Sequence, residues 1–114
     1  MLSKSYRISK KKDIEQIFKK GFWVRNKILS LAMVKNNLEK TRFVVTISLK
    51  VSKKSTVRNK IKRQINEIIR LNLNKLKPGY DLAIVVTKND ILSKTYQNID
   101  SALNKLFFKA KLID

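Results

Sequence analysis

Three short segments in the first half of the chain have the apolar pattern of β-strands. They cover residues 22–26, 28–35 and 42–49, and Asn36-Asn37 marks a turn between the second and third. In the third segment one face carries Phe43, Val45, Ile47 and Leu49, and the other carries Val44, Thr46 and Ser48. We expect the face with the larger side chains to lie in the core. The smaller face either floors a groove or packs under a loop.

Helical periodicity first appears over residues 10–20. Ser9 suits the N-cap of this helix, and Gly21 is expected to end it. The apolar stripe of the helix consists of Ile14, Ile17 and Phe18, which recur at the spacing of one helix face. The segment therefore predicts an amphipathic first helix.

A second helix, a strand and a third helix follow a basic loop. The second helix starts with Ser55 or Thr56 as its cap and runs to about residue 75. Its buried stripe consists of Val57, Ile61, Ile65, Ile68 and Ile69. After the turn at Pro78-Gly79, the segment Tyr80–Thr87 predicts a strand. The last helix runs from about Ser93 to Lys109 and turns inward the side chains of Ile99, Leu103, Leu106 and Phe107.

The order α-β-β-β-α-β-α predicts an α/β fold, a two-layer sandwich with a four-stranded mixed sheet. The strand–helix–strand unit over residues 42–87 implies a crossover connection, for which general statistics favour the right hand. No repeat, low-complexity tract or Pro/Gly-rich linker divides the chain. We therefore expect one domain over residues 1–114, with residues 1–9 as an irregular basic leader.

The charge of the chain points to a polyanionic partner. It has 27 Lys and Arg residues against eight Asp and Glu residues, a formal net charge of +19. Residues 1–63 hold nineteen of the basic residues and only three of the acidic ones. Because a compact domain with this much like charge repels itself, we expect a polyanionic partner such as nucleic acid. The uneven distribution along the chain predicts that the charge forms a patch.

The residue types that are missing argue against chemistry by the protein itself. There is no cysteine and no histidine, which removes disulfides, thiolate metal sites and the commonest general base. We therefore predict no catalytic residue and no dedicated metal site. The apolar runs are too short to span a bilayer and no secretory signal is evident, so we expect a cytoplasmic protein.

The densest basic segment runs from Lys50 to Arg63 and contains seven basic residues and no acidic residue. It crosses a loop and the first turns of the second helix. Free N–H groups and the positive end of the dipole at a helix N-terminus favour phosphate. An ordinary solvated helix face mixes signs of charge, and here no acidic residue appears until Glu67. This segment is the candidate RNA-binding site.

The same segment resembles a known family. Val57-Arg58-Asn59-Lys60-Ile61-Lys62-Arg63 looks like the signature helix of the protein subunit of bacterial ribonuclease P. Tyr6-Arg7-Ile8, Asp13-Ile14, Ile17-Phe18-Lys19 and Gly21 resemble the opening of that family. Arg42 through Ser48 resembles its strand before the basic loop, and Pro78-Gly79-Tyr80-Asp81 resembles the entry to its last strand. The resemblance covers about residues 6–109 in the right order.

The resemblance implies a ribonucleoprotein in which RNA is the catalyst. Proteins of this family assemble with a large catalytic RNA that uses Mg²⁺ to remove 5′ leaders from precursor tRNA. The protein contributes no catalytic group; it binds the RNA, helps to order metal near the cleavage site, and holds the single-stranded leader in a cleft between the first helix and the sheet. The family also has an unusual left-handed β-α-β crossover, which replaces the statistical expectation given above.

Residue by residue, the resemblance implies two binding sites. The signature helix and basic loop comprise Lys53, Lys54, Arg58, Asn59, Lys60, Lys62 and Arg63. The leader-binding cleft comprises Arg7, Ile14, Phe18, Val44, Thr46 and Ser48. Three positions depart from the family: Lys60 stands where Arg is frequent, Ile14 where Phe is frequent, and Val44 where Gly is usual. The loop over residues 50–56 is about one residue short and lacks the family's Gly.

Three other classes of protein compete with this interpretation. A different small basic RNA-binding module, such as a ribosomal protein, would share the charge and the fold. A protein nuclease would need converging carboxylates, and the closest acidic pair, Asp13 and Glu15, does not share a helix face. A membrane-surface protein would need lysines opposite an exposed apolar stripe, which neither the first nor the last helix provides.

Overall fold

The structure, a computed structural model, describes residues 2–114. Its strands are β1 (Phe22–Arg25), β2 (Ser30–Lys35), β3 (Arg42–Ile47) and β4 (Tyr80–Val86). Its helices are α1 (Lys11–Lys20), α2 (Ser55–Asn72) and α3 (Tyr96–Lys109), and short 3₁₀ turns cover Lys4–Tyr6, Leu73–Lys75 and Asn89–Ser93. This confirms the predicted order of elements. No helix within residues 2–114 has the length and apolarity needed to cross a membrane.

The four strands form one mixed sheet in the order β1-β2-β4-β3. β1 and β2 form an antiparallel hairpin, β2 pairs antiparallel with β4, and β3 pairs parallel with β4. α2 provides the connection between the two parallel strands, as a parallel pair requires. The predicted four-stranded mixed sheet is confirmed.

The crossover from β3 through α2 to β4 is left-handed, as the resemblance implies. Phe43 turns its side chain toward α2, and its carbonyl accepts a hydrogen bond of 2.8 Å from Ile8, on the edge away from β4. Ser48, at an alternate position, donates its N–H to the Val86 carbonyl of β4 at 2.9 Å. In a strand of L-residues, the face that a side chain takes fixes the edge to which the backbone groups of that residue point. When β3 points up and α2 faces the viewer, these bonds place β4 to the left of β3. A right-handed crossover would place it to the right.

The main core lies between the sheet and the layer formed by α2 and α3. Its helical part consists of the fully or almost fully buried side chains of Ile61, Ile65, Ile68, Ile69, Ile99, Leu103, Leu106 and Phe107. All of these positions were predicted to be buried. Val57, which was also predicted for the buried stripe of α2, is only half-buried. Burial of each such side chain stabilises the fold by about 1.5–3 kcal/mol. This face therefore supplies most of the stability and leaves the opposite face available for other roles.

α1 lies on the opposite face of the sheet, across β2 and β4. Ile17 is fully buried there against Ala32 and Ala83, whose small side chains let the helix approach closely. Gly21 ends α1, as predicted, because a Cβ at this position would collide with the carbonyl oxygen of Ile17. The two predicted layers are thus the sheet and the α2–α3 pair, with α1 added on the second face.

The predicted helix caps are wrong at two places. Lys10, not Ser9, is the N-cap of α1, and Lys54, not Ser55 or Thr56, is the N-cap of α2; neither helix has a side-chain cap. A cap contributes only about 1 kcal/mol, so the packing of the apolar stripe decides where these helices begin.

The last helix begins later than predicted, at Tyr96 instead of near Ser93. Thr95 and Asn98 form a capping box, with hydrogen bonds of 3.2 and 3.1 Å between each side chain and the backbone N–H of the other. These reciprocal bonds satisfy two N–H groups and fix the start of α3. Ser93 ends the preceding 3₁₀ turn instead.

Leu49 does not lie in the core. It is 66% exposed, because β3 ends at Ile47 and the chain then turns, with the N–H of Val51 bonded to the Ser48 carbonyl at 3.0 Å. Val51, only 3% exposed, fills the core position instead. The alternation rule therefore fails at the point where the strand stops.

The N-terminal leader is more ordered than its sequence predicts. After the turn over Lys4–Tyr6, Arg7 forms a parallel bridge with Phe43 at the free edge of β3. Leu2 and Ile8 are buried. Two apolar side chains thus attach this basic segment to the domain; Met1 lies outside the described residues.

Candidate nucleic-acid interface

An open strip of the sheet lies beside α1. Arg25, Ser30, Val85 and Thr46 are aligned in register across β1, β2, β4 and β3. Their side chains take the same face as Ala32 and Ala83, the row on which α1 packs, and they are half-buried or exposed. We call this strip, together with the flank of α1 above it, the cleft. The smaller face of β3 therefore floors a groove, one of the two alternatives open from the sequence.

Ile14 and Phe18 form the wall of the cleft, one turn apart on α1. Ile14 is half-buried and, like Val44, packs against the buried cluster that contains Ile17. Phe18 is 39% exposed, and its ring centroid lies 5.8 Å from that of Trp23 at the β1 end. Phe18 is thus an exposed aromatic residue of the wall and not a core residue.

Four of the six residues predicted for the cleft lie together on this face of the molecule: Ile14, Phe18, Val44 and Thr46. The Oγ1 of Thr46 is buried and has no hydrogen-bond partner within residues 2–114, which is uncommon for a buried hydroxyl. Ser48 lies past the end of β3, where its Oγ accepts a hydrogen bond of 3.1 Å from the Lys50 N–H. Ser48 therefore shapes the basic loop.

Arg7, the remaining predicted cleft residue, lies at the outer edge of β3 instead. It lines a cavity of about 520 Å³ together with Lys4, Lys62 and Asn66, and Val44 at the β3 end of the cleft also borders this cavity. Since Lys62 and Asn66 come from α2, this groove joins the basic N-terminal segment of the protein to the basic helix. The structure thus groups Arg7 with the predicted RNA-binding helix.

The basic residues of α2 do not share one face. At 100° per residue, Arg58 and Lys62 lie on the flank toward the edge of β3, Asn59 and Arg63 lie on the outer face, and Lys60 lies on the far flank. All except Arg58 are exposed. An RNA that contacts all of them must therefore wrap around the first two turns of the helix.

Arg58 already has a structural partner. Its Nη1 donates a hydrogen bond of 2.8 Å to the carbonyl of Ser52, and the residue is half-buried. The Oγ of Ser52 in turn accepts from the Lys54 N–H at 3.1 Å. These bonds fix the path of the short basic loop, and they leave the side chains of Lys53 and Lys54 exposed.

The N-terminus of α2 has no side-chain cap among the described residues. The first backbone N–H groups of a helix have no partner within the helix, and they attract anions together with the helix dipole. Lys53 and Lys54 immediately precede these groups. The arrangement suits a phosphate of a nucleic-acid backbone.

Sequence reasoning missed Trp23 and Arg25, which belong to the β1 end of the cleft. Trp23 contacts Phe18, and the guanidinium of Arg25 lies 5.3 Å from the centroid of the Trp23 ring. The period-2 alternation of β1 was a usable signal, because it puts both residues on one face. What the sequence lacked was the order of the strands, which decides that this face adjoins Phe18.

The acidic side chains near the cleft are engaged with a cation. Arg42 donates to both carboxylate oxygens of Asp81, and Asp13 of α1 lies 3.5 Å from the same guanidinium. The hydrogen bond with Asp81 raises the pKa of Arg42 above its ordinary value. Within residues 2–114 no group of three acidic side chains is arranged to hold a metal ion. These residues therefore do not fit a divalent cation held by the protein alone.

Comparison with known proteins identifies the family. The sequence model described as Ribonuclease P matches residues 2–111. The chain belongs to the ribonuclease P protein family. A Ribonuclease P protein component of Clostridium botulinum is 43% identical over 108 residues, which cover 94% of this chain and 96% of the relative. One of Synechocystis is 34% identical over 114 residues, covering 99% and 91%.

Solved structures of ribonuclease P proteins share the fold. The protein of Staphylococcus aureus matches with a TM-score of 0.88 at 27% identity, over 97% of this chain and 100% of that chain. The protein of Thermotoga maritima matches with a TM-score of 0.79 at 27% identity, over 88% and 94%. As a member of this family, the protein is an RNA-binding subunit of an endoribonuclease ribonucleoprotein that processes tRNA 5′ ends, and its partner is ribonuclease P RNA. The alternative of a ribosomal protein is wrong.

Proposed function

We propose that the protein holds the 5′ leader of precursor tRNA in the cleft beside α1 while α2 and the basic loop bind the catalytic RNA. The observation that carries this proposal is the open row of Arg25, Ser30, Val85 and Thr46 next to the exposed ring of Phe18. A strip of small and polar side chains bordered by an aromatic ring accommodates single-stranded RNA, which binds through stacking and backbone contacts.

The proposed contact with the catalytic RNA involves the residues named from the signature: Lys53, Lys54, Arg58, Asn59, Lys60, Lys62 and Arg63. The exposed lysines and Arg63 surround an uncapped helix N-terminus, which supports phosphate binding there. Arg7 is proposed to join this surface through the groove it shares with Lys62. Arg58 acts mainly by holding the loop in place through Ser52.

Mg²⁺ is proposed as a cofactor of the RNA–protein complex, held by RNA and not by a dedicated site of the protein. The role of the protein is to order the RNA that carries the ion. This is supported by the charge of the surface: cations around α2 neutralise phosphates, so less Mg²⁺ is needed to fold the RNA against its own repulsion.

In this proposal residues 1–114 act as a single RNA-binding domain. The N-terminal segment pairs with β3 through Arg7 and shares a groove with Lys62 of α2, which supports the assignment. The proposed place of action is the cytoplasm, where a bacterial precursor tRNA is synthesised.

The proposal is tested by reconstitution with a bacterial ribonuclease P RNA. The affinity of the RNA for precursor tRNA and for mature tRNA is measured with and without the protein, together with cleavage at low Mg²⁺. We expect the protein to tighten binding of the precursor and to leave the affinity for mature tRNA nearly unchanged. An equal gain for both RNAs would overturn the assignment of the cleft to the leader.

A further inference from the structure

The β1 end of the cleft holds Trp23, an aromatic side chain that the proposed leader site does not use and that contacts two residues of that site. Phe18, Trp23 and Arg25 are in contact: the two rings are 5.8 Å apart and tilted by 32°, and the guanidinium lies 5.3 Å from the Trp23 centroid. Trp23 is half-buried and Arg25 is exposed. One side of the indole packs against the small apolar cluster under α1, while the contact of this edge strand with the main core is Val24 on the other face.

A cavity of about 300 Å³ lies at this end of the cleft. It is bounded by Trp23, by Arg25, Ser30 and Val85 of the open row, by the β1–β2 turn and by the chain after β4. Three cations line it, Arg25, Lys27 and Lys88, and none of the acidic residues within positions 2–114 does. Cavities of this size hold small organic groups. An aromatic wall, a ring of cations and the absence of carboxylates suit a nucleotide.

We propose that this cavity, which we call the β1 subsite, binds one unpaired nucleotide of the leader beyond those that lie beside Phe18. The base stacks on Trp23, and Arg25, Lys27 and Lys88 bind the flanking phosphates. The inference rests on the proposed function, because the subsite continues the same open row of the sheet. It adds a specific residue, Trp23, and a preference for leaders long enough to reach β1.

The contact between Arg25 and Trp23 can be replaced by a contact between a base and Trp23. In the free protein the guanidinium covers part of the indole ring. Base–aromatic stacking is stronger than a solvent-exposed cation–π contact. An incoming base therefore replaces the guanidinium on the ring, and the released Arg25 is close enough to pair with the phosphate next to that base. Arg is suited to this, since its planar fork binds phosphate in two places.

The first experiment uses the intrinsic fluorescence of the protein. Trp23 is the sole tryptophan of the chain, so its emission reports on this site alone. Titration of the protein with single-stranded oligoadenylate is expected to quench the emission. An oligomer of the same length and charge that lacks bases is expected to bind by charge with little quenching. Equal responses to the two oligomers would show that no base stacks on Trp23 and would overturn the proposal.

The second experiment measures leader length in the reconstituted complex. Precursor tRNAs whose leaders grow by one nucleotide at a time are bound by complexes containing the natural protein or Trp23→Leu. We expect the natural protein to gain affinity once the leader reaches the subsite, and Trp23→Leu to lose about fivefold or more of that gain. Affinity for shorter leaders should be unchanged. A loss that is the same at every length would overturn the proposal.

Matched variants separate binding from folding. Phe22→Leu removes a neighbouring aromatic ring that is 61% exposed and points to the opposite face of β1, so it should not alter the length dependence. Arg25→Gln keeps the indole and tests the phosphate contact, with the exposed Lys94→Gln as its charge control. If Trp23→Leu fails to fold, a normal length dependence in Arg25→Gln still overturns the subsite.

The outcomes also distinguish the subsite from the leader cleft itself. If Phe18→Leu weakens precursor binding while Trp23→Leu and Arg25→Gln do not at any leader length, the cleft is supported and the subsite is overturned. If none of the three variants discriminates precursor from mature tRNA, the cleft proposal fails together with the subsite.

Discussion

Arg42 and Asp81 lie opposite each other in the parallel β3–β4 pair and are joined by two hydrogen bonds of 2.9 and 2.7 Å between their side chains. The Nδ2 of Asn36, just after β2, donates to the same carboxylate at 2.8 Å, and Asp13 of α1 lies 3.5 Å from the guanidinium. One cation and one carboxylate thus connect α1 to three strands. Because α1 carries the wall of the cleft, these contacts join the wall to the strands that form the floor.

Removal of Arg42 should destabilise the protein. Asp81 is 5% exposed, so Arg42→Met leaves a buried carboxylate with only Asn36 as a side-chain partner. We expect a loss of about 2–3 kcal/mol in the free energy of unfolding, below the value for a fully buried pair because Arg42 is partly exposed. Asp13→Asn, which breaks only the longer contact, should cost less than about 1 kcal/mol. Urea denaturation measures both changes.

A double variant tests the cause of that loss. Arg42→Met combined with Asp81→Asn removes the unpaired buried charge and should be more stable than Arg42→Met alone. If the double variant is the less stable of the two, the cost arises from lost packing of Arg42 and not from the stranded carboxylate.

Binding to ribonuclease P RNA should depend strongly on salt. If five to seven cations within residues 50–63 contact phosphates, the plot of log K against log[salt] should have a slope of roughly −4 to −6. Lys62→Ala with Arg63→Ala should make the slope shallower by about one to two units, since both side chains are exposed. Filter binding over a range of KCl concentrations measures the slope.

The control for this prediction removes two cations elsewhere. Lys94 and Lys105 are exposed and lie outside the basic segment. Their double replacement by Ala should leave the slope unchanged. An effect equal to that of the Lys62 and Arg63 pair would mean that RNA binds the whole charged surface without preference for α2.

Glu67 makes a pH-dependent contribution through Arg70. Both guanidinium bonds reach the Glu67 carboxylate one turn away on α2, and this hydrogen bonding lowers the pKa of Glu67. A lowered folded-state pKa gives stability that is present above the ordinary carboxyl pKa and is lost as pH falls through the lowered value. The Tm difference between the natural protein and Glu67→Gln should therefore shrink as the solution is acidified. When Arg70 is replaced by Gln, the Tm difference caused by Glu67→Gln should no longer shrink on acidification through this pairing, because the guanidinium partner is absent.

The sequence predicted the helical core well because that information is local. The 3.6-residue spacing of Ile61, Ile65 and Ile68 reports directly on one helix face, and all three are buried. The predicted helix caps were wrong because Ser is a favoured N-cap residue wherever it precedes a helix, and the sequence does not show whether packing lets the helix begin at Ser9 or Ser55. The predicted burial of Leu49 was wrong because the alternation of apolar and polar residues does not reveal where a strand ends.

The site was only partly predictable because it depends on strand order. Arg25 on β1 and Thr46 on β3 lie at opposite ends of one row because β2 and β4 stand between them, and the chain reaches β4 last. Nothing local to either residue records that arrangement. Arg7 was expected in the cleft for the same reason: only its bridge to Phe43 shows that it lies on the α2 side of β3.

The remaining prediction concerns Phe18. Since its ring is 39% exposed, Phe18→Leu removes a stacking surface while keeping much of the side-chain volume, and the fold should lose little stability. We expect binding of precursor tRNA by the reconstituted complex to weaken by about 1 kcal/mol or more, and binding of mature tRNA to stay the same. The converse change, Ile14→Phe, supplies a second ring on the same wall and should tighten precursor binding. Thermal unfolding of both variants provides the control: equal losses for precursor and mature tRNA, accompanied by a large drop in Tm, would show that Phe18 supports the packing of α1 and does not contact the leader.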